Sequence, residues 1–126
     1  MRFALSITFV LSIFAGMAQS GIGSKVNTAL GNGDVVALQG MMTASVDITL
    51  VDNEGVMPSD QAAKAISEFF KASSPKDFVV KHKGTSKLDA LYRIGTLKTI
   101  KGDFRVTYFL KKTPQGLKIK QIRIES

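Results

Sequence analysis

The chain has 126 residues, no Cys and one His, with 17 Lys and Arg set against 10 Asp and Glu. That length suits one domain and excludes two, and the lack of Cys excludes disulfide staples, thiolate metal sites and a lipid anchor attached through cysteine. The net charge of +7 invites a nucleic-acid partner, but the lysines never form a block and alternate with Asp77, Asp89, Asp103 and Glu125; they read as a solvated sheet face, and no nucleic acid is expected.

Residues 1–20 read as an export signal. Arg2 supplies the positive start, Phe3–Ala18 is apolar with Ser and Thr interruptions, and small residues follow. Cleavage after Ala18 would use Gly16 and Ala18 as the small pair; cleavage after Ser20 would use Ala18 and Ser20. The alternative is a retained anchor, but Phe3–Ala18 is shorter than the roughly 20 residues a spanning helix needs. A periplasmic or secreted protein without a stable membrane anchor is expected. Residues 21–126 then form a single domain, large enough to hold a core without staples.

Ile22, Val26, Ala29 and Leu30 recur at helical spacing until Gly31-Asn32-Gly33 stops the pattern. Asp34 is placed to cap a second short helix whose stripe is Val35, Leu38, Met41 and Met42. Val46, Ile48 and Leu50 alternate with Asp47 and Thr49 as a strand, and Asp52-Asn53-Glu54-Gly55 has the composition of a turn. After Pro58, Ser59 is a suitable N-cap for a helix in which Ala62, Ala65, Ile66, Phe69 and Phe70 share one face. Pro75 marks its end.

Four consecutive strands follow: Lys76–Gly84, Leu88–Ile100, Asp103–Lys112 and Leu117–Glu125. In the first, strict alternation puts Phe78, Val80 and His82 on one face. In the second, Ala90, Tyr92 and Ile94 oppose Leu91, Arg93 and Leu97, and Gly95 suggests close backbone approach. Lys101-Gly102 and Pro114-Gln115-Gly116 are the turns around the third, where Phe104, Val106, Tyr108 and Leu110 face together. In the last strand Leu117 and Ile119 take one parity and Ile122 and Ile124 the other. An extra residue near Lys120-Gln121 restores one apolar face, which is the signature of a β-bulge. A bent sheet with helices on its concave side encloses a cavity.

Chemistry is sparsely marked. One His, no Cys and dispersed carboxylates give no metal site, and no cofactor is expected. Gly31-x-Gly33 follows no strand and lacks a third glycine, so it reads as a helix stop. The candidate ligand-binding residues are His82, Tyr92 and Tyr108. His82 is either a base or ligand donor at the cavity or a core-edge imidazole bonded to backbone. The tyrosines are either hydroxyl donors to a ligand carbonyl or large core fillers. Asp47 lies opposite the apolar parity and reads as solvent-facing. Arg105 and Glu125 read as a cross-strand pair. No catalytic residue is assigned.

Glu68-Phe69-Phe70, Pro75, Phe78, His82 with Gly84, Tyr92 with Ile94-Gly95-Thr96-Leu97, Arg105-Val106, Leu110-Lys111-Lys112 and Gln121-Ile122-Arg123-Ile124-Glu125 resemble a family of small exported bacterial proteins classed as a domain of unknown function. The order of elements resembles the nuclear transport factor two-like, or cystatin-like, superfamily. The resemblance implies an α+β fold: a cone-shaped, bent antiparallel sheet with N-terminal helices packed on its concave face. It implies no activity, since a fold hosts many functions. The expectation is a non-catalytic domain that binds a small apolar or anionic ligand or a protein partner. The alternatives are self-association, as a homodimer through exposed sheet residues Val79, Leu91 and Phe109, and a cavity enzyme of isomerase or dehydratase type.

Overall fold

In the computed structural model, which describes residues 21–51, 53–85 and 90–126, two short helices lead into a six-stranded sheet. The expected export signal over residues 1–20 lies outside the described residues, as do Asp52 and the Leu88–Asp89 start expected for the second sheet strand.

Helix α1 (residues 21–32) buries Val26, Ala29 and Leu30, the stripe its spacing predicts. Gly33, at φ 66°, reverses the chain in the left-handed region that a side chain disfavours. Helix α2 (Val35–Gly40) starts as expected, with the Ala37 amide donating to Asp34 Oδ1 at 3.1 Å. It ends two residues before its apolar stripe does, because Met42 opens strand β1 (Met42–Thr49) instead.

The segment expected to be loop contains strand β2 (Glu54–Pro58), which pairs antiparallel with β1. Gly55 and Pro58 hide it in the sequence. Pro is tolerated because β2 is an edge, and Met57, opposite Val46, gives it one inward side chain. Helix α3 (Ser59–Ser73) buries Ala62, Ile66 and Phe70, with Ala65 and Phe69 packed against the core. Pro58, not Ser59, occupies the cap position, and no side chain caps the helix. The Phe69 ring meets Phe104 edge-on at 5.0 Å, which ties α3 to the sheet.

Strands β3 (Pro75–Thr85), β4 (Leu91–Thr99), β5 (Gly102–Thr113) and β6 (Gly116–Glu125) follow the expected bounds closely. The sheet order is β2-β1-β6-β5-β4-β3. Every pairing is antiparallel except β1 with β6, so the sheet is mixed where a wholly antiparallel one was expected. The chain leaves β1 through β2 and α3 and returns four strands later, so the last strand arrives beside β1 in the same direction.

One face of the curved sheet carries Leu97, Val106, Tyr108, Leu110, Ile119, Ile122 and Ile124, all fully buried against the helices. In β6 the register steps from Phe109↔Gln121 to Leu110↔Ile119, which leaves Lys120 without a partner. This is the expected bulge, and it holds Ile119 and Ile122 on the same face. At Gly95 a Cβ would come 2.5 Å from the Val79 carbonyl oxygen and 2.6 Å from the Phe78 ring, so β4 lets β3 approach only because no side chain stands there.

Candidate functional site

Strand β3 also carries a bulge, which the sequence does not signal. Val80 pairs with Gly95 and His82 with Ile94, so two residues of β3 answer one step of β4 and Lys81 is the extra one. Beyond it every side chain lies on the face opposite to strict alternation. His82 therefore leaves the face of Phe78 and Val80 and stands exposed on the outer face, beside Ile94. Lys83 turns inward, opposite Arg93.

The three sequence candidates do not meet. Tyr92 shares the outer face, its ring tilted against Phe109 at 5.8 Å and lying over Gly84, where a Cβ would come 2.5 Å from the hydroxyl. Tyr108 is on the inner face and fully buried. Its hydroxyl donates to Asn27 Oδ1 at 2.7 Å, with the Gly23 carbonyl 3.4 Å away. Burial pushes the phenol up to about 12, opposed in part by the positive charge of Arg93. A phenol held that high stays protonated near neutral pH and serves as a fixed donor. Asp47 is half-buried opposite Gln121, on the face away from Ile48.

What the fold does bring together is a cleft of about 420 Å³ at the mouth of the inner face, lined by Gly23, Ser24, Asn27, Val80, Lys83 and Arg93. Helix α1 supplies the neutral polar wall, and β3 and β4 supply the cations. Arg93 is steadied by its own strand, Nη1 donating to the Tyr92 carbonyl at 3.0 Å. Gly23 of α1 faces the guanidinium: a Cβ there would lie 3.7 Å from Arg93 Nη2, in ordinary contact. The ion pair among the described residues joins Lys98 to Asp103 at 3.8 Å, well away from this cleft, and no carboxylate lines it.

Two cations, an amide and a hydroxyl line this cleft with no carboxylate among its lining residues, and each offers N–H or O–H donors, the chemistry that suits an anion. They do not make a proton-abstracting centre. A larger groove, about 460 Å³, runs between α1 and α2, but its Lys25 and Asp34 have opposite charges and converge on no common chemistry. Lys83 escaped sequence analysis because its side depends on the bulge. Arg93 had a signal: it interrupts the otherwise apolar parity of Leu91 and Leu97, where a charge needs a reason.

No curated protein matches the chain in sequence. Among solved structures, a DUF4783 family protein from Bacteroides ovatus is 34% identical, with TM-score 0.73, covering 79% of this chain and 90% of that one. A second, from Bacteroides uniformis, is 27% identical with TM-score 0.77, covering 83% and 96%. An NTF2-like protein of unknown function from Cytophaga hutchinsonii is similar in fold alone, at 10% identity and TM-score 0.56, covering 79% and 81%. The model of the domain of unknown function DUF4783 matches residues 23–125, from the first turn of α1 to the end of β6, and the chain belongs to that family, with an α+β, nuclear transport factor two-like fold.

Proposed function

We infer that this protein is an exported, non-catalytic domain that binds a small anion in the cleft between α1 and the β3–β4 pair. The observation that carries the reading is the inward placement of Lys83 and Arg93 at one cleft with no carboxylate among its lining residues. Arg93 presents a planar fork suited to a carboxylate or phosphate, and Lys83 adds a mobile point charge. Asn27 lines the same space; its Oδ1 accepts from the Tyr108 hydroxyl, which leaves its amide N–H₂ group to donate. His82 and Tyr92 stand outside this site, and Tyr108 acts through Asn27.

The test is calorimetric titration with small mono- and dicarboxylates and with phosphate monoesters, on the wild type and on Arg93→Gln and Lys83→Gln. Binding of one class that weakens about tenfold or more in each variant supports the reading, since a hydrogen bond to a charged group contributes about 1.5–3 kcal/mol. Equal affinity in wild type and Arg93→Gln would refute it. The export part rests on Arg2 and the Phe3–Ala18 stretch. It predicts a secreted or periplasmic product whose first residue is Gln19 or Gly21, read by mass spectrometry of the intact protein.

A further inference from the structure

The two ends of the sheet differ in charge. At the end where β4 turns into β5, basic and acidic side chains are interleaved: Lys98 pairs with Asp103, and Arg105 stands directly opposite Glu125. At the other end, the β5–β6 hairpin carries Lys111, Lys112, Lys118 and Lys120, with no carboxylate between the first and the last. Lys111 and Lys118 face each other directly across the two strands, and Lys120 is the bulged residue beside them. Alternation puts Lys112 on the other side of the hairpin. Lys111, Lys112 and Lys120 are exposed and Lys118 is half-buried. Asp47, opposite Gln121, is the nearest carboxylate on the described strands, and among the described residues no ion pair reaches any of the four lysines. Segment 86–89, outside the described residues, adds one Lys and one Asp and so leaves the balance as it is. Like charges directly opposite each other destabilise a sheet, and nothing in the packing of the core calls for lysine at these positions.

We propose that the tip of the β5–β6 hairpin docks reversibly, end-on, on a membrane surface that carries anionic phospholipid headgroups. Two arguments favour this partner over a nucleic acid. Lysines stand on both sides of a narrow two-strand tip, and a flat surface met end-on is within reach of all of them. A polymer laid along one side would meet only some, and the tip has no groove in which to track a strand. The export reading, on which this inference rests, also places the chain beside phospholipid headgroups and away from nucleic acid. Basic clusters of this size are drawn to anionic headgroups by charge alone. The turn residues Pro114, Gln115 and Gly116 bring no large apolar side chain to the tip, so the contact is electrostatic, sensitive to salt and easily reversed. It shares no residue with the α1 cleft.

The test is co-sedimentation of the purified, exported chain with vesicles of phosphatidylcholine alone or of phosphatidylcholine mixed with phosphatidylglycerol. Wild type is expected to bind the anionic vesicles, to ignore the neutral ones and to be released by high salt. Lys111→Gln with Lys118→Gln is expected to weaken binding roughly twenty-fivefold, about fivefold for each lysine, and Gln at all four positions to abolish it. These substitutions relieve repulsion, so circular dichroism is expected to show folding unchanged. The control variant carries Gln in place of Lys25, Lys64, Lys71 and Lys101, which are exposed and lie outside the hairpin. It loses the same net charge and is expected to bind nearly as well as wild type. Arg93→Gln is expected to bind vesicles fully, so a failure of the tip and a failure of the anion cleft are told apart. Equal binding to neutral vesicles overturns the proposal. So does a control variant weakened as much as the four-fold tip variant, or an oligonucleotide that binds more tightly than the anionic vesicles at equal phosphate concentration.

Discussion

Strand β6 carries a bulge at Lys120 and strand β3 carries one at Lys81, and these two bulges serve opposite ends. In β6 the extra Lys120 keeps Ile119, Ile122 and Ile124 on the buried face, so the irregularity preserves the core. In β3 the extra Lys81 turns Lys83 toward the inner face and His82 away from it, so the irregularity brings a charge to the rim of a cleft. The contrast follows from position. β6 lies between β1 and β5, with helices over its inner face, and every residue on that face must be apolar. β3 is the edge of the sheet, and its last residues run past the helical cover, where a lysine costs nothing in desolvation. An inserted residue in a central strand is a packing device; in an edge strand it is free to place a functional group and to blunt the edge against unwanted pairing.

Exchanging neighbours at the β6 bulge gives the largest expected effect. Gln121→Ile with Ile122→Gln keeps composition but puts an amide where Ile122 is fully buried opposite Tyr108. Lost apolar burial and an unsatisfied amide together cost about 4 kcal/mol or more. Urea denaturation is expected to show a folded state close to the limit of stability, and a midpoint within experimental error of wild type would sink the account of the core.

Before its bulge, β3 behaves like a core strand, and Gly95→Ala tests that half. The new methyl group meets backbone at the Val79 carbonyl, at 2.5 Å, which cannot swing aside as a side chain would. A loss of about 3 kcal/mol is expected, at the upper end of overpacking costs. Thermal denaturation measures it, and a neutral substitution would mean that β3 and β4 do not approach as closely as described.

Between the two strands, Tyr108 joins core to cleft and adds a pH test. Its phenol is raised in the folded protein from 10.0 to about 12, mainly by burial. As pH rises through 10, the unfolded chain releases this proton before the folded one does. Stability therefore falls between about pH 10 and 12 and is intact below that window. The loss assigned to this group is about 2 kcal/mol. Tyr108→Phe lacks that component, so its stability curve is expected to converge on the wild-type curve as pH rises. Parallel curves from pH 9 to 12 would remove Tyr108 from the balance.

How much of this was legible in the sequence depends on whether a residue's side was fixed by hydrophobicity. Ile119 and Ile122 announce a phase slip because both must be buried, so the Lys120 bulge could be read. Val80, Lys81, His82 and Lys83 include a single apolar side chain, and nothing in their order shows which of them is extra. Strict alternation then put His82 on the wrong face and left Lys83 unnoticed. The same logic hid β2, whose one inward side chain, Met57, stands between Gly55 and Pro58. The tyrosines were ambiguous for another reason. Both are amphipathic, and only pairing shows that Tyr108 points into the core while Tyr92 covers Gly84 outside.

The smallest expected effect on stability, and the sharpest on the site, comes from repeating the neighbour exchange at the β3 bulge. His82→Lys with Lys83→His alters neither composition nor strand propensity by much, and both wild-type side chains are exposed, so stability is expected to stay within about 0.5 kcal/mol of wild type. The cation, however, moves from the cleft to the outer face. Anion affinity measured by titration is expected to fall about tenfold, as in Lys83→Gln, because the side on which the charge stands matters and its presence in the strand does not. Retained affinity would show that charge anywhere on β3 suffices. The binding would then be diffuse attraction to a basic protein, and the bulge would be an edge-protecting device with no part in the site.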